Sequence, residues 1–217
     1  EFSKKEPVCE QSVEIVERKG AGHPDYICDA VMDRISVALS REYMRLFGTV
    51  LHHNIDKGLL VAGQVVKGFG RGRVIKPMEL IVGDRATFAL GRTKVPVNSI
   101  VKQTVRAWFA ENLPSVDPDR HIKTRVVLRP GSLELADIFD RKGQVLGAND
   151  PSAACGYAPL TPTQEAVLST EKFINSPAFK LRFPETGEDV KVMGVRKGTS
   201  LDLTVACPLM ARLIDSE

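Results

Sequence analysis

The chain has 217 residues, 43% of them hydrophobic, with 30 basic and 27 acidic side chains and a net charge of +3. That is enough for one large core or two modest ones, and the small charge excess demands neither nucleic acid nor an anionic membrane, though it is compatible with a polyanionic small substrate. No apolar run approaches the ~20 residues that span a bilayer, and no signal-peptide core is recognisable. Four cysteines, Cys9, Cys28, Cys155 and Cys207, stand far apart without a CxxC pair. This is neither a zinc knuckle nor a small disulfide scaffold, and it reads as reduced thiols in a cytoplasmic protein.

In chain order, residues 12–18 alternate apolar and charged, which predicts a half-buried strand. A helix is predicted from Pro24, with Ile27, Val31, Ile35, Leu39 and Phe47 on its apolar face and Gly48 as its stop. Leu59 to Val66 reads as a buried strand, and Val74 to Phe88 as a strand or hairpin. A second helix is expected from Asn98 to Asn112, burying Ile100, Thr104, Val105, Trp108 and Phe109. Pro114 to Asp119 is a turn-rich break, and His121 to Arg129 another alternating strand. Thr161-Pro162-Thr163-Gln164 is a capping box with proline at the first helical position, followed by Val167, Leu168, Phe173 and Ile174. Val190 to Arg196 and Ser200 to Cys207 form a hairpin across Lys197-Gly198-Thr199. Strands and helices mix without strict β-α-β alternation, so the expected class is α+β, with sheets covered on one face by helices. The weakest point between domains is expected within residues 141–160, giving a first region of 1–150 and the start of a second unit at 151–217.

The most informative segment is Glu14 to Asp29, which runs from a strand through Gly20-Ala21-Gly22 into a helix start. It places the imidazole of His23 at that junction, the carboxylate of Asp25 two residues on, and Glu17 on the strand end. Backbone N–H groups at a helix start attract phosphate. A carboxylate there can hold Mg²⁺, and a histidine can donate a proton or hydrogen bond to a leaving oxygen. The plainer alternative is that Asp25 only stabilises the helix start and His23 is merely exposed.

Other segments carry weaker signals. His52-His53-Asn54-Ile55-Asp56-Lys57 has no third zinc ligand at fixed spacing, and adjacent histidines point apart in extended chain. It reads as a polar loop feeding a strand, or as a site edge using Asn54, Asp56 or Lys57. Lys67-Gly68-Phe69-Gly70-Arg71-Gly72-Arg73 lacks the order of a phosphate loop and the aromatics of a nucleic-acid element, so a mobile basic hairpin is expected. Gly131, Ser132 and Glu134 follow a strand and could grip a ribose or cation, or form an ordinary strand exit. Asn149-Asp150-Pro151 is a strong turn signal, and Lys191 faces either solvent or a phosphate.

Taken together, these segments resemble the N-terminal portion of S-adenosylmethionine synthetases (methionine adenosyltransferases) of the archaeal type. The matching stretches are GAGHPDYICD at 20–29, LHHNIDKGLLVAG at 51–63, VPV at 95–97 and DPDRH at 117–121. They continue with AND at 148–150, GYAPLT at 156–161, EDVKVMG at 188–194 and DLTVAC at 202–207. The resemblance implies attack of the L-methionine sulfur on the ribose 5′ carbon of ATP, expulsion of triphosphate, and its hydrolysis to pyrophosphate and phosphate. It implies Mg²⁺ and K⁺ as cofactors. It also implies a homodimer with shared sites and a fold of repeated mixed β-sheet units, with the family's third unit beyond this chain. Position by position, His23 would polarise the leaving oxygen, Asp25 would hold Mg²⁺, and Glu17 would lie near the nucleotide and its metal. Gly131, Ser132 and Glu134 would belong to the nucleotide-contacting loop, and Asp150 with Asn149 to an acidic turn beside the substrates. Lys191 would face the triphosphate, and Asn54 and Asp56 a monovalent-cation region.

The chain departs from the family pattern at Tyr26, Arg129-Pro130, Glu134 and Pro151 to Ala154, which bear on nucleotide packing and loop closure. A non-catalytic relative that binds nucleotide or only dimerises is the second expectation. A nucleic-acid module built on residues 67–73 is disfavoured by the small net charge and few aromatics.

Overall fold

The structure is a computed structural model that describes residues 6–131 and 156–216. The chain forms two compact units, one of Glu1–Tyr26, Lys67–Gly72 and Ala153–Glu217, the other of Ile27–Val66 and Arg73–Ser152. No helix among the described residues is long and apolar enough to cross a membrane. Strands and helices combine in several sheets, which makes the fold α+β.

In the unit that begins at Ile27, the fourfold spacing of Ile27, Val31, Ile35 and Leu39 produces the expected helix, α1 (Pro24–Phe47). All four are buried, together with Met32 and Tyr43. Gly48 ends the helix at φ +70, its N–H bonding the Met44 carbonyl at 2.9 Å. The sheet beside α1 has the order β2 (His53–Val61), β5 (Met78–Ala86), β8 (Ile122–Val126). β2 and β5 run antiparallel; β5 and β8 are parallel. Parallel neighbours need a crossover, and here it contains the short pair β6 (Ala89–Leu90) and β7 (Thr93–Lys94), then α2 (Val97–Asn112). α2 buries Val97, Val101, Val105, Trp108 and Phe109, which join α1 and the sheet residues Ile55, Leu80, Val82, Ala86 and Ile122 in one core. Tyr43 is fully buried, its hydroxyl donating to the Thr87 carbonyl at 2.9 Å and accepting from the Thr87 N–H at 3.1 Å. Burial pushes that phenol up to about 12.

The structure corrects several expectations here. Leu59 to Val66 is not a buried strand. β2 starts earlier, at His53, and is an edge strand with one open face, where Leu59 and Val61 are exposed. Its residues 53–57 are therefore strand and not loop, and His53 is structural, with Nε2 2.9 Å from Ser36 Oγ and Nδ1 2.9 Å from the Leu51 carbonyl. The 74–88 stretch divides at Pro77. Its first part belongs to a separate two-stranded hairpin, β3 (Gln64–Gly68) with β4 (Arg71–Lys76), turning at Gly70 with φ +62. A basic hairpin at 67–73 was expected and is found. In α2, Val101 is fully buried whereas Thr104 is only half-buried.

The other unit contains a sheet of order β1 (Val13–Lys19), β9 (Lys191–Lys197), β10 (Ser200–Ala206), antiparallel throughout. The predicted β9–β10 hairpin turns at Gly198-Thr199, with Gly198 at φ +56. α3 (Pro162–Ile174) packs on β1 and β9, and α4 (Pro177–Arg182) follows it. The capping box forms as expected: Thr161 Oγ1 accepts from Gln164 N at 3.1 Å, and Gln164 Oε1 accepts from Thr161 N at 2.8 Å. α3 buries Thr163, Val167 and Glu171, whereas Phe173 is 64% exposed and rests edge-on against Phe179.

β1 alternates in burial as expected, but its covered face carries Glu14 and Arg18 with only Val16 as an apolar contact. Val13 and Ile15 are exposed while Glu14 is buried. Glu14 is tolerated there because Thr161 Oγ1 donates to it at 2.6 Å and Arg196 Nε lies 3.3 Å away. Arg196 also donates to the carbonyls of Val8, Gln11 and Gly198, which ties down the N-terminal segment. Burial opposes ionisation of Glu14. The hydrogen bonds from Thr161 and Arg196, with the Arg196 charge, outweigh burial and hold the carboxyl below its ordinary 4.5. A depressed folded pKa stabilises the fold above the unfolded value, and that stability is lost as pH falls through the folded one. Glu14→Gln should therefore flatten the acid limb of a Tm-against-pH curve below about pH 4.5. Curves of equal steepness for the two proteins would contradict this.

Candidate active site at the strand–helix junction

The end of β1 and the start of α1 are joined by Gly20-Ala21-Gly22-His23, closed by a 3.0 Å bond from His23 N to the Gly20 carbonyl. This turn is fixed against the segment that leads into β9. Gly20 N bonds the Val190 carbonyl at 2.8 Å and Gly22 N the Glu188 carbonyl at 3.2 Å. A Cβ on Gly22 would lie 2.4 Å from Glu188 C and 2.5 Å from Asp189 N, so only glycine fits. A Cβ on Gly20 would meet Asn175 Nδ2 at 2.6 Å and Glu171 Oε1 at 2.9 Å. These two side chains are themselves joined, Asn175 Nδ2 donating to Glu171 Oε1 at 2.9 Å, while Arg18 Nε contacts Glu171 Oε2 at 3.3 Å.

His23 caps the helix through its ring. Nδ1 accepts the Asp25 backbone N–H at 3.2 Å. An Nδ1 that accepts leaves the proton of the neutral imidazole on Nε2, so the ring's remaining nitrogen is a donor. Pro24 and Asp25 open the first turn of α1, where a carboxylate is favoured by the helix dipole. The Asp25 side chain is 65% exposed, with Oδ2 2.5 Å from Lys19 Nζ and 3.9 Å from His23 Nδ1. The Lys19 hydrogen bond holds the Asp25 carboxyl below the usual range, and the same bond raises the Lys19 ammonium.

Lys19 is the β-register partner of Lys191, and Glu17 that of Met193. Two ammonium groups therefore stand on neighbouring strand ends of the face away from α3. Each has a carboxylate, since Lys191 Nζ lies 3.4 Å from Glu17 Oε1. The structure thus brings His23, Asp25, Glu17 and Lys191 into one neighbourhood and adds Lys19. Sequence reasoning missed Lys19, although its place as the last strand residue before the glycine turn was the available signal.

Asn54 and Asp56 belong to the other unit. Asn54 Nδ2 donates to Asp84 Oδ2 at 3.0 Å, and Asp56 Oδ2 accepts from Lys57 Nζ at 2.7 Å. Asn54 borders an irregularity in the β2–β5 pairing and Asp56 lies within it, and Asp84 opposite has φ +92. The Lys57 hydrogen bond lowers the Asp56 carboxyl, whereas burial and the neighbouring Asp56 raise that of Asp84. Gly131 approaches His52, where a Cβ would come within 2.9 Å of Nδ1. Ser132, Glu134, Asn149 and Asp150 lie outside the described residues.

A glycine-shaped turn, a helix start, a ring N–H donor and two lysines form a site suited to an anionic leaving group. The fold that carries it has a solved counterpart, "Structure of an Unusual S-adenosylmethionine synthetase from Campylobacter jejuni". That match covers 92% of this chain and 49% of that chain at a TM-score of 0.53, with 15% identity, and is a likeness of fold. The sequence model of the S-adenosylmethionine synthetase (AdoMet synthetase) family matches residues 1–217, and the chain belongs to that family. It is 48% identical over 214 residues to the S-adenosylmethionine synthase of Pyrobaculum calidifontis, covering 96% of this chain and 53% of that protein. Against the probable S-adenosylmethionine synthase of Aquifex aeolicus it is 43% identical over 214 residues, covering 97% and 54%. The chain spans about half the length of the curated relatives it matches.

Proposed function

We propose that the chain carries the leaving-group side of a methionine adenosyltransferase, which forms S-adenosylmethionine from ATP and L-methionine. The observation that supports it best is the capping role of His23 Nδ1, which leaves Nε2–H as a donor on the turn that follows Lys19, itself the strand partner of Lys191. In this reaction the methionine sulfur bonds to the ribose 5′ carbon as the bond from that carbon to oxygen breaks. The electron pair leaves on the triphosphate oxygen. A thioether is a weak nucleophile, so in-line orientation and charge dispersal on the leaving group supply most of the rate. His23 donates a hydrogen bond from Nε2 to the departing oxygen, and Lys191 draws charge from the phosphate chain. Water then hydrolyses the triphosphate to pyrophosphate and phosphate.

Mg²⁺ in phosphate sites is held by one or two carboxylates, with water and phosphate oxygens completing its shell. The exposed carboxylate of Asp25 fits that use, with Glu17 close by. Among the described residues, no three His, Cys, Asp or Glu side chains are grouped to cage a metal unaided. When bound, Mg²⁺ would supply neutralisation of the phosphate charge. Asn54 and Asp56 offer oxygen donors for K⁺. Gly131, Ser132 and Glu134 serve as the nucleotide loop, and Asp150 with Asn149 as the acidic turn at the substrates. A cytoplasmic homodimer with shared sites completes the proposal. The exposed Val13, Ile15 and Met193, on the sheet face away from α3, suit burial against a second copy. The repetition of α+β units, with a third unit in the longer relatives, belongs to the same proposal.

The second reading is a non-catalytic relative that binds nucleotide, motivated by the departures from the family pattern at Tyr26 and at Pro151 to Ala154. ATP that raises Tm without yielding S-adenosylmethionine would mark that reading; product formed from ATP and methionine marks the first.

A further inference from the structure

We infer that Lys19 is a second phosphate-binding cation of this site, and that without substrate it occupies the Asp25 carboxylate that a metal would otherwise take. The inference rests on the proposed function and extends it to a residue that the motif does not contain. Lys19 and Lys191 are direct partners across the β1–β9 pairing, so their side chains leave the sheet on one face. Each ammonium is held by a carboxylate, Lys19 by Asp25 at 2.5 Å and Lys191 by Glu17 at 3.4 Å. Two cations side by side would repel, and these two contacts offset that repulsion.

The pairs are made to part. All four side chains are roughly a third or more exposed: Lys19 36%, Asp25 65%, Lys191 43% and Glu17 42%. Exposed ion pairs contribute little stability, so separating them costs little. A metal-bound phosphate chain offers each group a better partner. The lysines gain charge-assisted bonds to phosphate oxygens, and Asp25 is released to the cation. Lys19 therefore works in opposite directions on the two ligands. It attracts the polyanion, and it competes with a metal arriving alone.

Binding of two probes to the full chain tests this without reading catalysis: inorganic tripolyphosphate by calorimetry, and Mn²⁺ alone by electron paramagnetic resonance. Lys19→Ala should weaken tripolyphosphate about tenfold, the usual worth of one charge-assisted bond, and tighten Mn²⁺ several-fold. Lys19→Gln should reproduce both shifts with more of the side-chain stem in place, and Lys19→Arg should keep most of the tripolyphosphate affinity. Unchanged tripolyphosphate affinity in Lys19→Ala, unchanged or weaker Mn²⁺ binding, or no tripolyphosphate binding by the unmodified chain would each overturn the inference. S-adenosylmethionine production with unchanged tripolyphosphate binding in Lys19→Ala removes Lys19 and leaves the adenosyl transfer standing. The crossed shifts in a chain that makes no S-adenosylmethionine support Lys19 and remove the transfer.

Discussion

Replacing His23 by asparagine should lower S-adenosylmethionine formation by about 10²-fold or more, the range for a general acid–base group. The variant is informative because it separates chemistry from folding. His23 has one task in the structure and a second in the proposed reaction. Its Nδ1 accepts the Asp25 backbone N–H at 3.2 Å and caps α1, while in the proposed reaction Nε2 donates to the leaving oxygen. Asparagine is among the best helix caps, so the start of α1 survives the change. The ring donor does not survive, because the shorter amide falls short of the Nε2 position. A steady-state assay with a thermal melt beside it gives the result: slow turnover with a nearly unchanged Tm. Turnover close to that of the unmodified protein would remove His23 from the mechanism.

Gly22→Ala should be as damaging by a different route. The added methyl would sit 2.4 Å from Glu188 C and 2.5 Å from Asp189 N. Both are backbone atoms, which no rotamer change can move aside. The turn must lift away from the segment leading into β9, losing the 3.2 Å bond from Gly22 N to the Glu188 carbonyl and carrying His23 with it. Misplacing a catalytic group by about 1 Å can cost on the order of 10²-fold in rate. Overpacking a tight site costs about 1–3 kcal/mol in stability, so Tm should fall as well. Activity and Tm that both match the unmodified chain would show that the turn is not held as described.

The helices were legible because their signals are local. Ile27, Val31, Ile35 and Leu39 recur every fourth residue, and Thr161 to Gln164 is a reciprocal cap that needs only four residues to form. The strands were less legible because the face a strand buries is decided by its partners. Val13 and Ile15 looked like the covered side of β1, yet the packing of α3 turned Glu14 inward, and Arg196, 182 residues away in sequence, made that tolerable. Leu59 and Val61 looked like core, but β2 is an edge strand with one open face. In the candidate site, the glycine turn, His23 and Asp25 stand in one contiguous motif and could be read directly. Lys19 and Asp84 could not be singled out that way. Lys19 gains its meaning from Lys191 across the sheet, and Asp84 from Asn54 and Asp56 across a β2–β5 irregularity. Neither pairing exists until the chain is folded.

The central claim is that the turn at His23 serves adenosyl transfer, and product analysis tests it most directly. The chain would be incubated with ATP, L-methionine, Mg²⁺ and K⁺, and the mixture resolved by chromatography with mass detection. The account predicts S-adenosylmethionine, with pyrophosphate and phosphate released in equal amounts. ATP and methionine recovered unchanged, with no S-adenosylmethionine formed, would contradict it.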